Sequence, residues 1–463
     1  MKTVAIHNLG CKTNAYESEV MRQKLQESGY QLVPFDSRAD VYVVNTCTVT
    51  NVADRKSRQM LHRAKQRNPE AVVVAVGCYA QLGGEKAERD ESIDLLIGNN
   101  RKKDVAEILG AYLKEREAAD KTLGGTTIPD IGHTYEFEEV RLRQTAERTR
   151  AYVKVQDGCN QFCSYCAIPY ARGRVRSRKA EDVLAEVRGL VETGCREVVL
   201  TGIHVSSYGM DFDGQAWASG RSVRAEGGGR PDYAGSGRLI DLVERIREVP
   251  GVERIRLGSL EPRIVTEETA RRLAAIPGLC PHFHLSLQSG CDATLRRMNR
   301  RYTTGEYFSA VERLRSAFCR PAVTTDVIVG FPGETEEEFG QTKDFLEKVG
   351  FYEMHVFKYS KRAGTAAAGM PGQVPEPVKA ERSNELLAME RRQSVEFRRA
   401  YVGRTAEVLL EGVAEVNGRL WRIGHTADYV KVAVKAEGTR ENSLVKVPVK
   451  GFLTEEILES LEF

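Results

Sequence analysis

No stretch of this 463-residue chain approaches the roughly 18 consecutive apolar residues of a membrane-spanning helix, so none is expected to cross a bilayer. No charged leader with an apolar core and cleavage site precedes the strand-like run Thr3-Val4-Ala5-Ile6-His7, so no secretory signal is expected and the chain reads as cytoplasmic. A Gly-x-Gly-x-x-Gly run and a phosphate-loop pattern are also missing, which leaves dinucleotide or ATP binding without support. There is no short-period solenoid repeat. Charge is nearly balanced, at +3, and says little about partners globally. With 41% hydrophobic and 29% charged residues the composition is that of a soluble globular protein. The length suggests about two to four domains.

Against these absences stand ten cysteines. In a cytoplasmic chain that many argue for metal or redox chemistry rather than a disulfide frame. Three fall in the run Asp157-Gly158-Cys159-Asn160-Gln161-Phe162-Cys163-Ser164-Tyr165-Cys166, with an aromatic residue, Tyr165, directly before the last. Three thiolates this close, on a loop after a strand, can hold three irons of a cubane cluster. Such a cluster usually takes four cysteines, so the fourth iron is left for a distant cysteine or for a small molecule binding through nitrogen and oxygen. A zinc knuckle fits less well, because zinc sites generally take four ligands and no His or further Cys stands nearby. Core cysteines rarely gather three at a time beside Gly and polar residues. Cys195, Cys280, Cys291 and Cys319 have no comparable grouping and read mostly as small buried hydrophobes.

The chain is expected to be α/β with three parts. Residues 1–112 read as an open parallel-sheet domain, in which apolar strands Val4–Ile6, Val41–Val44 and Val72–Val76 alternate with amphipathic stretches Glu17–Glu27 and Arg55–Arg67. Cys11, Cys47 and Cys78 stand at or just beyond the ends of these strands, and ligands of open parallel sheets gather outside those ends. Residues from about 111 to 148 read as a charged linker with some helix. Residues 145–375 repeat strand then helix. The strands are expected at Ala151–Val155, Glu197–Thr201, Arg254–Gly258, His282–Leu287, Thr324–Val329 and Glu353–Lys358, which predicts a partial or full (β/α) barrel with the cysteine loop at its active face. Tyr208–Gly237, rich in Gly, Arg, Ser and Asp, reads as a mobile insertion. A charged helix over Glu376–Arg399 leads to short β-type runs over 395–461, which predict a small five-stranded OB-like barrel, either RNA-binding or a structural cap.

Local charge is more informative than the total. Arg172, Arg174, Arg176, Arg178 and Lys179 follow the cysteine loop, and Arg296, Arg297, Arg300 and Arg301 form a second group. Each run could be a solvated helix face, but beside a catalytic loop a polyanionic substrate gains support. Gly202, Gly330 and Gly333 follow strands, where the missing β-carbon would let the backbone approach a ligand. Gln288 and Ser289 could bond a ribose or a carboxylate, whereas His204 and His284 read as packed or hydrogen-bonded.

The cysteine spacing with Tyr165 resembles the radical S-adenosylmethionine superfamily. The longer string Gln156-Asp157-Gly158-Cys159 through Ile168-Pro169-Tyr170-Ala171-Arg172-Gly173 resembles a narrower family within it, the methylthiotransferases. The resemblance covers nearly the whole chain, and implies a radical domain flanked by an N-terminal cluster domain and a C-terminal RNA-binding TRAM barrel. It implies two [4Fe-4S] clusters, one on Cys159, Cys163 and Cys166 and an auxiliary one on Cys11, Cys47 and Cys78. It also implies S-adenosylmethionine contacted around Tyr165, Gly202, Gln288, Ser289 and Gly330, with a one-electron reductant and a sulfur donor of unknown identity. By this resemblance a 5′-deoxyadenosyl radical takes a hydrogen from C2 of an adenine in tRNA, and sulfur from the auxiliary cluster enters as a methylthio group. Gly173-Arg174-Val175-Arg176-Ser177-Arg178, Leu257-Gly258-Ser259-Leu260-Glu261-Pro262 and His355-Val356-Phe357-Lys358-Tyr359-Ser360-Lys361-Arg362 are most similar to the branch acting on threonylcarbamoyladenosine next to the anticodon. The other branches act on isopentenyladenosine in tRNA or on an aspartate of a small-subunit ribosomal protein. A different class, a cluster protein that only carries electrons or binds RNA, fits poorly with a six-unit barrel.

Overall fold

The computed structural model describes residues 1–119, 125–143, 149–212 and 236–460. The expected mobile insertion lies mostly outside these residues. The first part is a six-stranded parallel sheet in the order Gln31–Leu32, Thr3–Asn8, Val41–Thr46, Val72–Gly77, Leu95–Ile97 and Gly125–Thr127. Val41–Thr46 and Val72–Gly77 are buried at every position, as strands covered on both faces must be, and their continuous valines suit that setting. Met21, Leu25, Val105, Leu109 and Tyr112 cover one face, and Leu61, Ala64 and Tyr79 cover the other. The stretch expected to be a linker differs from that reading. Helix Val105–Ala119 runs across position 112, and Gly125–Thr127 pairs with Leu95–Ile97 beyond it. Val105, Leu109 and Tyr112 give that helix its buried stripe despite its charge.

The second part contains parallel strands Arg150–Lys154, Glu197–Thr201, Arg254–Leu257, His282–His284, Ala322–Val329 and Glu353–Lys358. They pair as two three-stranded sheets, joined in order by the bridges Ile255↔Leu279 and Leu260↔Leu285. Helices Ala180–Glu192, Ser236–Arg247, Glu267–Ala274, Thr304–Ala317 and Glu336–Val349 lie between them in sequence. Three of these start at reciprocal capping boxes, built on Thr266, Thr303 and Thr335, which satisfy backbone donors that a helix start leaves open. Alternation divides each strand. Val198, Ile255, Phe283 and Val327 enter the helix-covered core, while Glu197, Arg254, Arg256, His284, Asp326 and His355 take the opposite face.

Helix Glu376–Arg399 leads into a sheet ordered Leu444–Pro448, Thr405–Val416, Arg419–Thr426, Lys431–Lys435, Ile457–Ser460 and Gly451–Phe452, six strands instead of the five expected. Its long hairpin turns at Asn417-Gly418, both left-handed (φ 52° and 73°), the geometry that Asn-Gly accepts in a two-residue turn. This sheet seats against the amino ends of the central strands. Arg150 donates to Glu411 (2.9 Å) and the Tyr429 hydroxyl (3.3 Å), Arg254 to the His425 carbonyl (2.9 Å), and Arg256 to the Ala427 carbonyl (2.9 Å). The Tyr429 ring lies 5.0 Å from the Arg150 guanidinium and 4.6 Å from that of Arg256.

Glu197 holds this junction, with Arg150 and Arg256 each 2.8 Å from its Oε1. Burial pushes its carboxyl up, but Arg256 and Arg150 outweigh burial and bring it down to about 2. Glu197→Ala removes the carboxylate partner of buried Arg256 and one of the two of Arg150, and should cost about 3–5 kcal/mol. The expected readout is a lower urea midpoint for the central and C-terminal parts in the anaerobic protein.

Candidate metal centres

The register of the first sheet brings its central strands to a common end, with Asn8 beside Asn45 and Thr46 beside Gly77. Cys47 and Cys78 follow those ends directly, and Cys11 caps helix Lys12–Glu27. Polar ties hold the three loops together. Asn14 Nδ2 donates to the carbonyls of Leu9 (2.7 Å) and Thr46 (3.0 Å), and Thr46 Oγ1 donates to Val76 (2.6 Å) and accepts from Tyr79 N–H (3.1 Å). Cys47 and Cys78 are buried and Cys11 is exposed. Burial pushes the Cys47 thiol up to about 11, and the nearby Cys78 and Cys11 add to the rise. Cys78 and Cys11 thus lie near enough to Cys47, at the common end of the sheet, to act on its thiol.

The second triplet lies on a loop whose shape is imposed by close backbone packing. A β-carbon on Gly158 (φ 72°) would come within 1.8 Å of the Arg174 carbonyl oxygen, and one on Gly173 (φ 71°) within 2.1 Å of that of Ile131. Phe162 is itself left-handed (φ 49°), and Asn299 Nδ2 donates to its carbonyl at 2.9 Å. Ser164 donates from its hydroxyl to the Arg297 carbonyl (2.8 Å), and its N–H bonds Met298 (3.0 Å). Arg300 donates to Cys163 Sγ at 3.3 Å. Burial raises Cys159 far above an ordinary thiol and brings Cys166 up to about 12, in both cases with Cys163 adding next. Two buried thiols pushed up beside a third, with an arginine on that third sulfur, suit a cationic iron cluster that neutralises the thiolates.

The segments that carry the two triplets are tied across the junction between the first and second parts. Asn99 Nδ2 contacts Cys78 Sγ (3.5 Å) and donates to Ala171 O (2.8 Å), while Arg172 donates to Asn14 Oδ1 (2.6 Å). Lys12, beside Cys11, keeps an exposed surface but lies within reach of the central strands: partial loss of hydration lowers its ammonium, and then Arg256 and Arg150 lower it further. Neither Asn99 nor Lys12 stood out in the sequence, since an Asn after a strand and a Lys after a Cys carry no spacing signal.

Several expected contacts change. Arg172, Arg176 and Arg178 are at most 2% exposed, so these members of the basic run meet no polyanion. Arg172 pairs with Glu17 (2.6 Å) and Arg178 with Glu186 (2.8 Å). Arg362 likewise pairs with Asp54 (2.6 Å) in the first turn of helix Asn51–Arg67, and Arg297 with Glu338. Ser289 is 1% exposed and its hydroxyl accepts from Cys291 N–H (3.2 Å) and meets Thr342 (3.3 Å), so it points into the chain and away from any ribose. The missing β-carbons at Gly202 and Gly330 make room for Gln156 and the Lys379 stem instead of a ligand. Gln288 is buried and left-handed (φ 74°), bridged to Val327. Tyr165 packs edge-on to Phe331 at 6.4 Å beside the cysteine loop. His204 bonds Glu261 (3.2 Å), and His284 bonds Thr324 (3.0 Å), as expected of hydrogen-bonded histidines.

Two family models match the chain: "Radical SAM superfamily" over residues 153–346 and "Uncharacterized protein family UPF0004" over residues 3–98. The threonylcarbamoyladenosine tRNA methylthiotransferase MtaB of Bacillus subtilis (strain 168) is 38% identical over 97% of this chain and 94% of its own length. Its namesake in Aquifex aeolicus (strain VF5) is 37% identical over 96% and 99%. The tRNA-2-methylthio-N(6)-dimethylallyladenosine synthase of Methylacidiphilum infernorum (isolate V4) is 34% identical over 97% and 89%. Among solved structures, the radical S-adenosylmethionine methyltransferase TsrM of Kitasatospora setae superposes with a TM-score of 0.53 at 15% identity, over 77% of this chain and 73% of that one, a likeness of fold. On these matches the chain belongs to the methylthiotransferase family of radical S-adenosylmethionine enzymes, which work with S-adenosylmethionine and a [4Fe-4S] cluster.

Proposed function

We propose that the protein inserts a methylthio group at C2 of N6-threonylcarbamoyladenosine next to the anticodon of tRNA, using two [4Fe-4S] clusters. The observation that supports this reading is that the segments carrying the two cysteine triplets are tied across one junction by Asn99 and Arg172. Cys159, Cys163 and Cys166 hold the first cluster, and Cys11, Cys47 and Cys78 the auxiliary one. When bound, the clusters and S-adenosylmethionine supply a carbon radical strong enough to take an unactivated hydrogen, together with the sulfur that replaces it. The chain's own residues do the rest. Arg300 orients Cys163 and offsets its charge, Tyr165 and Phe331 form a dry wall beside the loop, and Arg172 keeps the two triplets in register. Tyr165 and Gln288 lie beside S-adenosylmethionine.

The domains are 1–127, extended from 112 to take in the sixth strand, then 145–375 as a partial (β/α) barrel and 395–461 as an OB-like TRAM barrel that binds RNA. Among the described residues no helix is long and apolar enough to cross a membrane, and a tRNA substrate fits a cytoplasmic enzyme. The choice of base follows the relatives named for threonylcarbamoyladenosine, which reach 38% identity against 34% for the dimethylallyladenosine synthases. Nucleoside analysis of tRNA from a strain lacking the gene tests this: the 2-methylthio form should vanish while threonylcarbamoyladenosine accumulates. Loss of the methylthio group from isopentenyladenosine instead would move the protein to the other tRNA branch.

A further inference from the structure

Below the cysteine loops, three neighbouring parallel strands each present a metal-ligating side chain to the central interior: His284, Asp326 and His355. One ligand atom from each lies within 4.8 Å of the others. Asp326 and His355 are register partners, and His284, which pairs with Thr324, stands two residues before their level, so the three form a layer of side chains two residues deep on one face. The His284 and His355 rings stack at 5.8 Å with a 25° tilt, and His284 Nε2 is 3.4 Å from Asp326 Oδ2.

The layer borders open space. His355 is exposed, and Phe357, on the same face of its strand, keeps 45% of its surface, whereas Met354 between the strands' helix-covered sides is 3% exposed. Asp326 retains 30% side-chain exposure although the surrounding protein strips it of much of its hydration. The residual surface on these groups leaves the layer open on one side.

We propose that His284, Asp326 and His355 form a binding site for a divalent first-row metal cation, separate from both cysteine triplets, with its remaining coordination positions on the open side of the layer. Two imidazoles and one carboxylate on one face are the donor set that such cations take when positions are left for outside ligands. The site has the supporting contact that metal histidines need. Thr324 Oγ1 sits 3.0 Å from His284 Nδ1, which fixes the ring and turns Nε2 toward Asp326. Burial would raise the Asp326 carboxyl, but His284, His355 and Arg300 outweigh it and keep it ionised. Arg300 is itself engaged with Cys163 and the Tyr302 hydroxyl (2.9 Å), so it does not occupy the site.

Manganese(II) is the probe of choice, because it favours oxygen and nitrogen over the chain's free thiols, and oxidised [4Fe-4S] clusters give no competing resonance. Titration of the anaerobically reconstituted protein with Mn2+, followed by electron paramagnetic resonance, should reveal one bound ion per chain. His355→Ala and Asp326→Asn should each abolish it with iron content unchanged. Thr324→Val, which keeps the volume and removes the hydroxyl, should weaken it about 10- to 100-fold. His355 is exposed, so its variant folds and decides alone if Asp326→Asn does not. No bound Mn2+, or binding that survives the His355 substitution, overturns the proposal.

Discussion

Replacing Cys78 with alanine should leave 5′-deoxyadenosine formation close to the level of the unaltered protein while methylthio insertion falls to background. The reasoning is spatial. Cys78 belongs to the loops at the ends of the first sheet, held to Cys11 and Cys47 by Asn14 and Thr46. Cys159, Cys163 and Cys166 belong to a separate loop, fixed by Gly158, Ser164 and Arg300. Removing one thiol from the first set leaves every contact of the second in place. On the proposed two-cluster arrangement, iron should drop by roughly half. Cys166→Ala is the matching control and should lose both products, since sulfur transfer depends on the radical. Anaerobic incubation with S-adenosylmethionine, reductant and tRNA, with the nucleosides resolved by mass spectrometry, separates the outcomes. If Cys78→Ala also stopped 5′-deoxyadenosine formation, the division of labour between the triplets would be wrong.

Much of this was legible in the chain because it is written locally. The central elements Ala180–Glu192, Glu197–Thr201, Thr304–Ala317 and Glu353–Lys358 fall where the apolar periods put them. The cysteine triplets stand where a strand end and a loop signature put them. The failures share one physical origin, which is that a side chain's partner can come from elsewhere in the fold. Arg172, Arg176 and Arg178 read as an exposed basic run, yet Glu17, Asp157 and Glu186 bury them. Ser289 looked free for a ligand, but helix Glu336–Val349 brings Thr342 to its hydroxyl. His284, Asp326 and His355 share no motif, and only the register of three strands makes them neighbours.

Glu17→Ala should be the most damaging single change outside the cysteines, because it removes the anion around which the two large parts are joined. Glu17 is 3% exposed and takes Lys154 (2.7 Å) and Arg172 (2.6 Å) from the central part, and Lys102 from its own. Asp157 shares Lys154 (2.7 Å), Arg172 (3.3 Å) and Arg176 (3.5 Å). Without Glu17, the direct pairing of Lys154, Arg172 and Arg176 would fall to Asp157, with buried Glu138 nearby, and Lys102 would lose its ion pair. Breaking a buried ion pair by removing one partner costs about 3–5 kcal/mol, and here three pairs lose the same partner, so the upper end applies. Lys102→Met in the same chain removes one stranded cation and should restore part of the loss, as coupled neighbours do. The pH dependence has a definite sign. Burial pushes the Glu17 carboxyl up, but Arg172, Lys102 and Lys154 outweigh it and hold it well below 4.5. A lowered carboxyl contributes stability that is fully present above its unfolded value and is lost as pH falls through the folded one. The gap between the unaltered protein and Glu17→Gln should therefore stay constant from about pH 8 to pH 6 and close only under acid well below the ordinary glutamate range. Urea unfolding of the anaerobic protein at several pH values measures the gap. Since Arg172 also holds Asn14 between the two cysteine loops, the glutamine variant should cleave S-adenosylmethionine while yielding little methylthio product.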